Sequence, residues 1–382
     1  MIKGEFPLAL FHSKRTPFYF YDLGLLRAAL AKVKEALRDR PQWRVHYAVK
    51  ANFNPEILKF IAEAGFGADC VSGGEVKAAL EAGFPASSVV FAGVGKRDDE
   101  IELGLSVGIG RFNVESTAEL RVIDEIAGRL GCRASVSFRV NPDVGAHTHA
   151  NITTGLAENK FGIHHSQIVD AIRLAIDLPN VDFRGLHFHI GSQILEMSDF
   201  VALCNRINAC IRELDLLGIK VEDINVGGGL GIEYEHPNHL SVANFQAYFD
   251  VFKRHLLASS PVHFELGRSL VAPCGTLISR VLYVKEGLYK QFAILDASMT
   301  ELIRPALYQA YHRIENLSSD GPEQKYDVVG PVCESSDVFG KGIILNECHR
   351  GDFIAIRSAG AYGESMASQY NCRPLPEAVL WE

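Results

Sequence analysis

The stretch Tyr47-Ala48-Val49-Lys50-Ala51-Asn52-Phe53-Asn54-Pro55 decides the fold. Val45, Tyr47 and Val49 alternate with the period of a strand, inside an almost wholly apolar run. Asn54 has the side chain of an N-cap, and Pro55 suits a first helical position, where a missing N–H costs nothing. Ile57, Leu58 and Ile61 then form an apolar helical face. Lys50 therefore falls where a buried strand has ended and its helix has not begun. An ammonium at such a point is either paired with a carboxylate or used as an amine, and position alone leaves both open.

Outward from this stretch the same rhythm repeats. Apolar runs centre near Tyr47, Ala68, Val90, Phe112, Phe138, Phe188, Asn225 and Phe264, eight in all. Helical patterns lie between them, including Gly74 to Ala82, Ser116 to Leu130, Ser166 to Ile176 and Asp199 to Leu217. Eight strand–helix units specify an α/β chain with a (β/α)8 TIM barrel. A doubly wound sheet, the alternative, usually needs fewer strands. From about residue 268 the texture changes to strand-like runs at Gly275 to Val284, Gln291 to Leu295, Tyr326 to Val329, Gly342 to Leu345 and Asp352 to Ile356. We expect a barrel over residues 25–267 and a β-rich C-terminal domain over 268–382. The early strand at residues 16–22 lies outside the eightfold rhythm, so residues 1–24 join that second domain.

Composition narrows the function. The chain has 382 residues, 47% hydrophobic and 22% charged, enough for a large core and two domains. A net charge of -8 offers no basic footprint, so nucleic acid is not an expected partner. No apolar run is long enough to cross a bilayer, and Met1 to Pro7 lacks the apolar core of a signal peptide. Eight cysteines are scattered singly with no CxxC pair, which points to neither a zinc ribbon nor a disulfide framework. A reduced, cytoplasmic enzyme is the expectation.

Catalytic groups of a barrel sit at the C-terminal ends of its strands. Those ends carry Lys50, Asp69 with Ser72, Gly93, Asn113, Arg139 with Asn141, His187 with His189 and Ser192, Gly227-Gly228-Gly229, and Glu265 with Arg268. The three glycines can turn several backbone N–H groups toward one anion, or simply make a tight turn. His187 and His189 share one face and read either as a metal pair or as packed histidines. Glu265 needs a partner, and Arg268 is one candidate. A lysine amine, a phosphate nest, a carboxylate for a ring nitrogen and a flat imidazole together specify pyridoxal 5'-phosphate (PLP) better than a metal centre, and no metal is assigned.

Tyr47-Ala-Val-Lys50-Ala-Asn, Lys160-Phe-Gly-Ile163, His187-Phe-His189-Ile-Gly-Ser192, Gly227-Gly-Gly229, Glu265-Leu-Gly-Arg268 and Cys333-Glu334-Ser335-Ser336-Asp337 resemble the alanine-racemase-fold PLP decarboxylases, to which ornithine decarboxylase belongs. Asp296 to Tyr308 and Ala359 to Asn371 narrow the resemblance to the diaminopimelate decarboxylases, over nearly the whole chain from Thr16 to Pro376. The resemblance implies decarboxylation of meso-2,6-diaminopimelate to L-lysine and carbon dioxide, the last step of lysine biosynthesis. It implies that Lys50 carries PLP and that Cys333 gives the proton that replaces the lost carboxylate. It also implies cofactor contacts from Asp69, Arg139, His189, Ser192, Gly227, Gly228, Gly229, Glu265, Gly267, Arg268 and Tyr362. Substrate contacts fall to Arg268, Arg304, Tyr308, Glu334 and Tyr362. Cys333 and Glu334 are expected to reach the active site of a second copy, making a homodimer. Leu266 stands where the family has proline, Gln369 where asparagine is common, and Asp143-Val-Gly-Ala-His147 is a compact form of a longer loop. None of these removes a catalytic group. The competing functions are a PLP decarboxylase for ornithine, lysine or arginine, and a metal-dependent barrel hydrolase using His187, His189 and Asp69.

Overall fold

A computed structural model of the chain describes residues 6–142, 160–237, 243–257 and 259–382. The loop Asp143 to His147 lies outside the described residues. The chain divides into two compact units. One comprises Leu30–Gly231 and Asn244–Gly267; the other comprises Met1–Ala29, Ile232–Ala243 and Arg268–Glu382.

The first unit is a closed parallel barrel. Its strands are β1 (Arg44–Ala48), β2 (Gly67–Cys70), β3 (Val89–Phe91), β4 (Arg111–Val114), β5 (Ala134–Asn141), β6 (Val181–His187), β7 (Asp223–Asn225) and β8 (Val262–Leu266). Each pairs with the next in chain order, and β8 pairs back onto β1. The two-residue strand Ile163–His164 pairs with β5. The expected rhythm holds strand by strand, with one shift. Phe188 lies just past the end of its strand rather than at its centre, its N–H bonding Asn225 O at 2.8 Å. The apolar run through Leu186, Phe188 and Ile190 continues past the strand, and this moves the apparent centre. The middle of β6 is instead Arg184, followed by Gly185, where a Cβ would lie 2.3 Å from Asp223 O.

Local chemistry builds the opening turn as expected. A 3-10 turn, Val49–Ala51, carries Lys50 off the end of β1. The Asn54 side chain caps Pro55–Glu63 by accepting from Glu56 N at 3.1 Å, with Pro55 in the first position. Tyr47 Oη donates to Asn52 O at 2.8 Å, fastening the turn to the strand it leaves. The expected helices appear as Gly73–Glu81, Thr117–Leu130, Ile168–Asp177 and Met197–Leu216. Ser72 and Ser116 cap the first two.

The second unit is a mixed, mostly antiparallel sheet. In it Ile314–Asn316, Phe353–Ile356, Gly275–Glu286, Gln291–Leu295, Glu323–Val329 and Val338–Asn346 lie side by side in that order. Phe18–Asp22 pairs antiparallel with Gly275–Glu286 and parallel with Glu377–Trp381. The early strand therefore belongs to this sheet. Phe11, Phe18, Phe20, Ile278 and Phe353 bury one face of it. The short strands Ile314–Asn316 and Glu377–Trp381 carry too little alternation to be read from sequence.

Candidate active site

At the mouth of the barrel, Lys50 Nζ stands 3.5 Å from Asp69 Oδ2. Asp69 is 1% exposed, and neither of its oxygens has a hydrogen-bond partner among the described residues. Burial, reinforced by the charge of Glu265, pushes its carboxyl up to about 8, against the pull of Lys50. Lys50 itself remains partly open to solvent. The amine is thus neither buried in a tight ion pair nor remote from a carboxylate.

Glu265 is held by three side chains. Its Oε1 accepts from Asn225 Nδ2 at 2.7 Å and from Asn113 Nδ2 at 3.2 Å. Its Oε2 lies 3.0 Å from His187 Nε2. Burial raises its carboxyl, but His187, Lys50 and His189 outweigh burial and hold it well below the usual carboxylate range. His187 and His189 do not act as a pair. His187 engages Glu265, while His189 Nδ1 accepts from Gly228 N at 3.3 Å, which leaves the proton on Nε2. Burial, then Arg139 and Lys50, pushes His189 well below its ordinary value, so its ring is neutral and flat.

The glycine run has no room for side chains. A Cβ on Gly228 would lie 1.7 Å from Glu265 O, and one on Gly229 2.6 Å from Gly191 O. Gly227 N donates to Asn225 Oδ1 at 2.9 Å, and Gly228 N is taken by His189. The Gly229 N–H has no acceptor among the described residues. Gly267 closes β8 with its Cβ position 3.1 Å from the Cβ atoms of Ala48 and Ala51. Arg139 Nη1 donates to Glu115 Oε1 at 2.8 Å, and its guanidinium lies 4.5 Å over the Phe161 ring. The second oxygen of Glu115 accepts from Gly162 N at 2.7 Å. Sequence reading missed Glu115, because a carboxylate past a strand end has no signal until the neighbouring strand is known.

In the second unit, Arg268 and Arg304 converge on one phenol. Arg268 Nη1 and Arg304 Nη1 donate to Tyr234 Oη at 2.9 and 3.0 Å. Arg304 also donates to His312 Nε2 at 2.8 Å. The Arg268 guanidinium lies 4.9 Å over the ring of Tyr362, whose backbone is left-handed, with φ 57°. Arg304 is 5% exposed although it opens a helix of only five residues. Tyr308 closes the same short helix, Arg304–Tyr308, and is half-buried. Cys333 and Glu334 lie exposed on one loop. Glu334 Oε1 accepts from Tyr370 Oη at 2.6 Å, and Oε2 from Ser336 Oγ at 3.2 Å. Asp337 holds that loop by accepting from Val332 N and Met299 N. Tyr234 and His312 were not among the sequence candidates.

Comparison with known proteins decides the family. Residues 23–272 match the profile of the pyridoxal-dependent decarboxylase family, pyridoxal binding domain. The chain is 60% identical over 378 residues to diaminopimelate decarboxylase of Bacteroides thetaiotaomicron, covering 98% of each. The chain belongs to the diaminopimelate decarboxylases. The enzyme of that name from Vibrio cholerae is 43% identical, over 98% of this chain and 90% of its own. A crystal structure of the Helicobacter pylori diaminopimelate decarboxylase complexed with L-lysine superposes with a TM-score of 0.93, at 41% identity, over 98% of this chain and 94% of that one. The residues at the barrel mouth fit the cofactor of this family. An unclaimed amide at Gly229, beside positions closed to any Cβ, suits a phosphate. The low-lying Glu265 suits a protonated ring nitrogen.

Proposed function

We propose that this chain decarboxylates meso-2,6-diaminopimelate to L-lysine and carbon dioxide, with pyridoxal 5'-phosphate held by Lys50. The observation that carries the substrate assignment is Arg304. It is a buried guanidinium whose partners are a phenol and an imidazole, and it makes no ion pair with a carboxylate among the described residues. A buried cation held by neutral acceptors demands an anion from outside. Diaminopimelate keeps a carboxylate at the end that does not react; ornithine, lysine and arginine do not.

When bound, the cofactor supplies an aldehyde for the substrate amine and a protonated ring that accepts the electron pair left by carbon dioxide. The chain's own residues do the rest. Lys50 Nζ would hold the cofactor through its amine. Gly227, Gly228, Gly229 and Ser192, with Tyr362, would hold the phosphate, and the neutral, flat His189 ring would face the cofactor. Glu265, kept ionised by His187, would hold a proton at the ring nitrogen. Arg268, Arg304, Tyr308 and Tyr362 receive the unreactive end, and Glu334 pairs with its ammonium. Cys333 Sγ delivers the proton that replaces the carboxylate. Cys333 and Glu334 serve the site of a second copy, a role supported by their exposure on a loop whose carboxylate is already oriented by Tyr370 and Ser336. Eight cysteines free of disulfides support a reducing compartment, the cytoplasm.

The test is carbon dioxide release from meso-diaminopimelate, ornithine, lysine and arginine, with and without added cofactor. Turnover of meso-diaminopimelate that depends on the cofactor is expected. Preference for ornithine would overturn the substrate assignment.

A further inference from the structure

Four side chains of the second unit form one continuous hydrogen-bonded line. His312 Nδ1 lies 2.8 Å from Arg357 O and donates to it. Its Nε2 lone pair then faces Arg304 Nη1 at 2.8 Å. Arg304 Nη1 also donates to Tyr234 Oη, which accepts from Arg268 Nη1 on its other side. Burial, then the charge of Arg304, pushes His312 down to about 3, so its ring is a neutral acceptor at any working pH. The Arg304 guanidinium also lies 5.2 Å from the centre of the Tyr234 ring, and the Tyr234 ring meets His312 edge-on at 5.2 Å.

The choice of acceptors is the point. A carboxylate in place of Tyr234 or His312 would orient Arg304 equally well but would neutralise it. A phenol and an imidazole fix the direction of its N–H groups and leave its charge unspent. The cation is thereby aimed before any substrate arrives, and its binding energy is kept for an incoming anion. The crystal structure with L-lysine concerns a relative and a product that retains one carboxylate.

We propose that Tyr234 and His312 are positioning residues for carboxylate recognition: they hold Arg304, and Tyr234 also Arg268, in the geometry that selects a substrate whose unreactive end bears a carboxylate. This deepens the reading of meso-diaminopimelate as substrate and rests on it. The role is separable from general stability, because only ligands that carry the carboxylate should feel it.

The experiment compares two ligands on the cofactor-loaded enzyme. L-lysine carries the carboxylate; 1,5-diaminopentane is the same diamine without it. Their equilibrium binding is read from the change in the cofactor's visible absorbance. In Tyr234→Phe, L-lysine binding should weaken about tenfold, as for loss of one charge-assisted contact, while 1,5-diaminopentane binding is unchanged. KM for meso-diaminopimelate should rise by the same factor with kcat within about twofold. His312→Leu should behave alike, and His312→Gln, which restores an acceptor toward Arg304, should recover L-lysine binding. The His312 pair carries the test if Tyr234→Phe fails to fold. Equal weakening of both ligands, or no change in either, would overturn the proposal. A wild-type enzyme that prefers L-lysine to 1,5-diaminopentane but does not turn over meso-diaminopimelate would refute the assigned reaction and leave the carboxylate clamp standing.

Discussion

Replacing Gly228 by alanine tests whether the glycine run is built by contact rather than by flexibility. A Cβ there would lie 1.7 Å from the carbonyl oxygen of Glu265 and 2.8 Å from its carbon. Ordinary carbon–oxygen contact begins near about 3.3 Å, so the segment after β7 and strand β8 must part by about 1.5 Å. Both sides are backbone, so no rotamer change relieves the overlap. The Glu265 N–H to Gly227 O bond, now 2.8 Å, would break with the separation. A buried backbone group left unpaired costs about 1–3 kcal/mol. Overpacking adds about 1–3 kcal/mol. A loss of about 4 kcal/mol lowers Tm by roughly 8–16 °C. Glu265 moves with its backbone, so cofactor affinity should fall as well. Gly95→Ala is the control: its Cβ meets nothing within 4 Å, and its cost should stay within about 0.5 kcal/mol. Thermal melts followed by circular dichroism, with cofactor titrations read at the visible band, measure both effects. A Gly228→Ala protein that melts within about 2 °C of wild type and binds cofactor as tightly would refute the contact argument.

Three further outcomes are expected. Borohydride treatment of the cofactor-loaded protein should label Lys50, and Lys50→Ala should take up no label; a label at another lysine would displace Lys50 from its role. Cys333→Ala should keep the cofactor colour and lose about 10²–10⁴-fold in turnover, as for removal of a proton donor. Mixing it with Lys50→Ala should partly restore activity, and absence of rescue despite subunit exchange would argue against a shared site. The stability of the chain should fall in acid because of His46 and His263, whose Nε2 and Nδ1 atoms lie 2.8 Å apart. Burial, then His263, pushes His46 down to about 4, and burial also lowers His263. Both are depressed below their unfolded values, so the unfolded chain binds more protons as pH falls from about 6.5 toward 4, and stability is lost across that window. Urea melts of His46→Gln should show a shallower loss; an unchanged slope would assign the acid sensitivity elsewhere.

The eight barrel strands were legible because each βα unit must return an apolar run to the same closed sheet, which forces a regular alternation. Lys50, Asp69, His187 and Glu265 were legible as polar residues at the ends of such runs. What they touch was not. His187 reads equally well as a metal ligand until β6 and β8 are known to bring it to Glu265. Tyr234 sits 34 residues before Arg268 and 70 before Arg304, and nothing short of the fold relates the three. Cys333 could not be told from a packing cysteine by its type, whereas five other cysteines are buried and it is exposed. Periodicity reports which face a residue takes, and only topology reports what waits on that face.

Glu265, on β8, draws its three donors from β4, β6 and β7. One carboxylate thus ties together strands drawn from half of the barrel's circumference. A lineage that abandoned this chemistry while keeping the barrel would have to refit four strands at once. A change of substrate preference needs no such refit if the unreactive end is received by Arg268 and Arg304, which lie outside the barrel strands. The carboxylate at the barrel mouth and the arginines of the other unit thereby depend on separate sets of side chains.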